Sequence, residues 1–299
     1  MTVASEITRI KTNIANAYNS ASEKGATLPA VQNSDNLATC ISSITGGGNS
    51  SKYSISIDNI LGDVDENGVL QLPSDSFNAV FNGVKDVAQY GLYYRLRNIL
   101  TIETVSFPDL EKVSNNNACV SLFENASGLK FVDLHKLTKI TGSQSCYSMF
   151  RGAGVESFDL SNLTEVSGYG GASNLFSSCK VKFVDLHNLT KITGNTACSG
   201  MFSKCDQLES VDLSNLTTKY YKGCENMFNG CTKLSSISFP ALTTVTGAPF
   251  GTSTSHYIFG KCTALTEIHF RADMQTTIEA LTSYTDKWGA TNATIYFDL

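Results

Sequence analysis

The feature that most constrains this chain is a six-residue word, L-x-x-V-x-L, that returns at an almost fixed step. Its last apolar position recurs as Phe81, Phe107, Leu134, Leu160, Leu186, Leu213, Phe239 and Phe270, with steps of 26, 27, 26, 26, 27, 26 and 31 residues. A register held this tightly is the mark of a repeat architecture. The last two apolar positions of each word are two apart, as in Val211 and Leu213, so both point inward from a short strand while the residue between them points out. Three residues after the anchor comes another Leu (Leu137, Leu163, Leu189, Leu216, Leu242) that turns the chain back. One such unit cannot bury its own apolar side, whereas a stack of them can.

A second recurring pair precedes each word: Leu122-Phe123, Met149-Phe150, Leu175-Phe176, Met201-Phe202, Met227-Phe228 and Ile258-Phe259. It is too short for a long helix and predicts a helical turn or 3₁₀ piece with its Phe packed inward. Eight of the nine cysteines fall into two columns of this alignment. Cys119, Cys146, Cys198 and Cys224 sit four before the Phe; Cys179, Cys205, Cys231 and Cys262 sit three after it, where other units carry Ala126 and Ala153. Small buried positions accept thiols, so buried free cysteines are the first expectation. Stacked neighbours such as Cys198 and Cys224 come within disulfide range, and a zinc site is the third reading, although no His shares these columns.

Composition excludes several classes. The chain of 299 residues is 41% hydrophobic and 16% charged, enough to bury a core. A net charge of −5 offers no basic stripe for nucleic acid. No apolar run approaches the length of a membrane span, and the first residues lack the apolar core of a secretory signal. A protein kept in a cytosol, or released without the general secretion route, is expected. No nucleophile elbow, P-loop, H-E-x-x-H or dinucleotide-binding glycine pattern occurs. The expectation is therefore a non-enzyme without cofactor or metal.

Candidate functional residues lie on the outward face of the stacked strands. Asp133, Asp159, Asp185 and Asp212 occupy one column. Around them Phe131 and His135, then Phe183 and His187, alternate with pairs of serines. One reading is a recognition face made of Phe131, Asp133, His135, Asp159, Phe183, Asp185, His187 and Asp212, suited to a glycan or protein surface. The other is duplication of a two-unit block, with each Asp bonding nearby Ser, Asn or backbone groups.

The pattern M-F-x-x-C-x-x-L-x-x-V-D-L, with the Pro of "FPALTTV" (239–245) and "FPDLEKV" (107–113), resembles the BspA-type leucine-rich repeat family. The resemblance covers residues 80–270. It implies an α/β repeat fold: a right-handed leucine-rich-repeat solenoid of short parallel strands plus helical turns, period 26–27. It also implies a non-catalytic role in adhesion or recognition at microbial surfaces. Departures are Gly152–Gly154, the missing Pro in four units and a five-residue insertion around Gly251–His256. Residues 5–44 resemble N-terminal modules of phage and prophage tail-associated proteins, and residues 270–299 resemble a C-terminal cap found with such repeats in gut-bacterial and phage proteins.

The expected organisation is a helical N-terminal module (1–45), a flexible linker (46–52), an N-terminal β cap (53–79), the solenoid (80–270) and a C-terminal cap (271–299). Ile7, Ile10, Ile14 and Ala17 recur at heptad-like spacing, and with Tyr18 they form the candidate docking or self-association surface. Ile at both core positions favours a trimer. At the far end, residues 275–284 predict a capping helix and 294–297 a last strand. Together these features suggest a receptor-binding protein of a phage tail, located on the virion or in the producing cell, contacting a bacterial surface glycan or protein. The rivals are a bacterial cell-surface adhesin and an intracellular protein-binding scaffold. Nucleic acid and membrane are not expected partners.

Overall fold

The computed structural model describes residues 53–56, 77–219 and 222–299. Apart from Tyr53, all belong to one compact unit, Ser54–Leu299. The expected helical module, the linker, the docking residues Ile7, Ile10, Ile14 and Tyr18, and most of the N-terminal β cap lie outside the described residues.

The repeat words form a parallel-strand solenoid of about eight turns. Each L-x-x-V-x-L word contributes one short strand: β3 (Ile102–Ser106), β5 (Phe131–Asp133), β7 (Ser157–Asp159), β9 (Phe183–Asp185), β11 (Ser210–Asp212), β13 (Ser236–Phe239) and β15 (Glu267–Phe270). Two strands precede them, β1 (Tyr53–Ser56) and β2 (Phe77–Val80). The turning Leu of each coil is followed by a second, two-residue strand: β4 (Lys112–Val113), β6 (Lys139–Ile140), β8 (Glu165–Val166), β10 (Lys191–Ile192), β12 (Thr218–Lys219) and β14 (Thr244–Val245). Those six make one continuous sheet. The first row is divided into β1-β2-β3-β5-β7, then β9 with β11, then β13-β15 with the terminal strand β16 (Thr294–Phe297). Register shifts by one residue at Phe77/Asn78, where β2 meets β3, and is regular in later pairs, with Val132 opposite Phe158 and Val184 opposite Val211.

The core is a column of rings. Phe123, Phe150, Phe176, Phe202, Phe228 and Phe259 stack coil on coil at centroid separations of 5.4, 5.3, 6.0, 5.9 and 6.2 Å, with their planes nearly parallel. All six are fully buried. The anchor Leu residues and Val or Ile partners line the same interior.

The segments around the Met-Phe pairs are not helical, which corrects the expected helical turn. In the coil of Phe123, the N–H groups of Cys119, Ser121 and Phe123 donate to Ser145, Tyr147 and Met149 of the next coil at 2.7, 2.9 and 2.7 Å. The intervening Leu122 donates back to Cys119 within its own coil. Beyond its first turn a helix would spend its N–H groups internally; here alternate ones stitch coil to coil. Every fourth residue must then adopt a left-handed conformation: Asn117, Ser121 and Asn125 at φ 53°, 51° and 60°. The same three columns recur as Gln144, Ser148, Gly152 and as Thr196, Gly200, Lys204.

The C-terminal cap contains a 3₁₀ turn (Ala272–Met274), a helix α1 (Gln275–Glu279) and β16. The helix is half the expected length; beyond it Ser283 turns to φ 64°, and Trp288 is buried. Its indole Nε1–H donates to Thr282 O at 2.9 Å. Strand β16 pairs in parallel with β15, which covers the last open edge of the word row. The insertion at residues 251–256 loops out, and Ile258 N returns to Phe250 O at 2.9 Å.

Candidate recognition surfaces

The repeated polar letters are used between coils. The thiols of Cys179, Cys205, Cys231 and Cys262 donate to the carbonyls of Phe150, Phe176, Phe202 and Phe228 at 3.2, 3.1, 3.2 and 3.0 Å. All eight described cysteines are buried. Burial pushes Cys205 and Cys262 up to about 12 and raises Cys179 and Cys231 as well. The hydrogen bond to Cys146, together with burial, raises Cys119. These are inert thiols, since reactivity requires the thiolate. Thr138, Thr164, Thr190 and Thr217 form a second ladder, each hydroxyl donating to a carbonyl of the preceding coil. Asn162 and Asn188 do the same with their amides, toward His135 O and Ser161 O at 2.7 and 2.9 Å.

The aspartate column is also engaged locally. Oδ1 of Asp133, Asp159, Asp185 and Asp212 accepts the N–H two residues on, from His135, Ser161, His187 and Ser214, at 3.1, 3.0, 3.0 and 2.8 Å. This is an Asx turn, and it ends each strand. His135 and His187 place Nδ1 2.6 Å from the same oxygens of Asp133 and Asp185. Asp133 is buried and accepts a further bond from Ser106 Oγ at 2.8 Å. The local bonding role proposed for the aspartates is thus present in all four coils. Of the two aromatics, Phe131 is half-buried and Phe183 is 43% exposed. Among the described residues, no group of three or more His, Cys, Asp or Glu converges on a point that could hold a metal.

A surface that the repeat alignment passed over lies on the first described turn segment. Tyr90, Tyr93 and Tyr94 are 54%, 36% and 42% exposed. They contact one another edge-on, with centroids 5.6 and 4.3 Å apart. Arg97 lies 5.5 Å from the Tyr94 centroid and reaches Glu124 at 2.9 Å; Arg151 approaches the same buried carboxylate from the other side at 3.6 Å. The Tyr94 hydrogen bond holds the Tyr93 phenol above its ordinary value. Tyr90 and Tyr94 occupy left-handed positions, φ 57° and 56°, where later coils carry Asn117, Gln144 and Gly170, or Ser121, Ser148 and Asn174. A side chain there costs about 1 kcal/mol, least for Asn and Gly. Two tyrosines therefore carry that cost without the compensation of burial. The available signal was "YGLYYRLR", three Tyr in five residues where the equivalent residues 117–121, 144–148, 170–174 and 196–200 hold at most one.

The family model for the BspA type leucine rich repeat region matches residues 148–276 in six copies. Among solved structures, the chain is similar to a leucine-rich repeat protein from Bacteroides ovatus at 15% identity and a TM-score of 0.36, covering 71% of this chain. The chain spans 64% of the length of that protein. It is also similar to the pneumococcal vaccine antigen PcpA, at 15% identity and a TM-score of 0.25, covering 79% of this chain and 82% of that one. No curated protein matches.

Proposed function

We propose that this protein is a non-catalytic recognition and adhesion module that contacts a bacterial surface glycan or protein through the Tyr90–Tyr93–Tyr94 patch. The observation that carries the reading is the placement of tyrosine in two exposed left-handed positions that other coils give to Asn, Ser, Gln, Gly, Thr or Lys and never to an aromatic. Tyrosine beside arginine is the composition of binding hot spots, because a rigid ring offers area at small entropic cost. Arg97 is held over Tyr94 by its bond to Glu124, so the patch is pre-formed. The repeat family matched over residues 148–276 supports the adhesive class. The finer setting, a phage or prophage tail-associated receptor-binding protein, rests on the resemblance of residues 5–44 to tail modules.

The test is co-sedimentation of the full-length protein with isolated bacterial envelopes, comparing wild type with Tyr90→Ala/Tyr94→Ala. The double variant is expected to lose binding by about tenfold or more while its thermal midpoint changes little, since alanine keeps a Cβ at the same left-handed positions. Equal retention of both proteins contradicts the reading.

A further inference from the structure

We infer that two copies of this chain pair antiparallel through the strand face, in a register selected by a row of alternating charges. This goes beyond the tyrosine patch and does not depend on it. The residue before each strand is Lys130, Glu156, Lys182 and Glu209 in four successive coils, all exposed. None of the four forms an ion pair with another described residue. Beside them, in paired register, stand Phe131 and Ser157, then Phe183 and Ser210. Both rows alternate with a period of two coils.

A two-fold axis running along the strands, between the coils of Leu160 and Leu186, reverses coil order and lays each row on its own copy. Lys130 then faces Glu209 of the second copy, and Glu156 faces Lys182. By the same operation Phe131 meets Ser210 and Phe183 meets Ser157, so every bulky ring is opposite a small side chain. His135 likewise meets Ser214, and His187 meets Ser161. A two-fold along the solenoid axis would instead set each coil on itself, Lys130 against the His135 side, and loses this pairing. Duplication of a two-coil block accounts for alternation as such. It does not require that the alternating members be opposite in charge in one row and opposite in size in the next. An isologous contact demands just that self-complementarity.

The aspartate row is the one that does not alternate, and it faces its own kind. Its carboxylates are already engaged by the N–H groups two residues on, and in two coils by His135 and His187. The flanking coils fit as well: Thr104 and Ser106 come opposite Ser236 and Ser238, all small. Six residues along the strands and four coils across give a footprint of about 20 by 20 Å. That is below the standard interface, so the dimer is weak and held by charges that salt screens.

The experiment is sedimentation equilibrium of the full-length protein up to near-millimolar concentration, at low and high salt. Wild type should dimerise, more weakly in high salt. Lys130→Glu/Lys182→Glu and Glu156→Lys/Glu209→Lys should each weaken self-association by about tenfold or more. Their equimolar mixture should restore a one-to-one heterodimer. If a reversed row prevents folding, Lys130→Gln/Lys182→Gln serves and must show a smaller loss in the same direction, since it removes attraction without adding repulsion. A wild type that stays monomeric, a mixture that forms no heterodimer, or an oligomer of unchanged mass in every variant overturns the inference.

Discussion

The Cys205 thiol donates to the backbone carbonyl of Phe176, one coil earlier, at 3.1 Å. The contact recurs in three other coils, so each thiol sits on the carbonyl of the ring that forms the core column. Protonation is required for this bond. The folded Cys205 and Cys262 titrate near 12, above their ordinary value of 9.0, so they keep their protons where the unfolded chain loses them. Stability from these groups is therefore complete below about pH 9 and declines as pH rises from 9 toward 12. The slope is about 1.4 kcal/mol per pH unit per thiol. Urea unfolding at pH 8, 9 and 10 should show the fall, and Cys205→Ala/Cys262→Ala should make it shallower, leaving the share of Cys119, Cys179 and Cys231.

Close approach of coils predicts a sharp contrast between two glycines. A Cβ on Gly168 would stand 2.1 Å from the carbonyl oxygen of Gly142, whereas one on Gly83 meets nothing within 4 Å. Gly168→Ala should cost about 2–3 kcal/mol by forcing two coils apart. Gly83→Ala should cost only about 1 kcal/mol, from its left-handed φ of 71°. Denaturant midpoints of the two variants measure the difference.

Glu124 is buried between Arg97 and Arg151 across three coils. Glu124→Gln leaves two cations facing a neutral amide. Because both arginines are about half-exposed, solvent screening reduces the loss to about 1–2 kcal/mol. A chemical-denaturation comparison reads this directly. The same variant should loosen Arg97 from Tyr94 and weaken envelope binding.

The aspartate turns separate charge from geometry. Asp185→Ala removes the acceptor for His187 N–H and should cost about 0.5–1 kcal/mol. Asp185→Asn keeps a carbonyl oxygen in place and should recover most of it. Thermal midpoints of the pair decide whether the carboxylate matters for its charge or for its turn.

The word row and its period were legible because strand burial obeys a two-residue rule that Val211 and Leu213 display openly. The turn segments were not, because the left-handed positions are shared among Asn117, Ser121, Lys204 and Gly200, which have no common propensity until cross-coil bonding groups them. The three-way division of the first strand row was hidden too. Its first break, between β7 and β9, coincides with Phe158, which replaces Val and stacks 4.1 Å from Phe176 of the next coil. The tyrosine patch escaped notice because its coil lacks the Met-Phe word by which the others were aligned. Of the strand-face residues, the aspartates bond locally, which a D-L-H or D-L-S triplet does not reveal without its backbone.

The measurement that tests the account most directly is amide hydrogen exchange of the full-length protein, free and bound to bacterial envelopes. The account predicts new protection confined to residues 88–98, around Tyr90, Tyr93 and Tyr94. Binding accompanied by protection only on the strand face, residues 130–214, would contradict it.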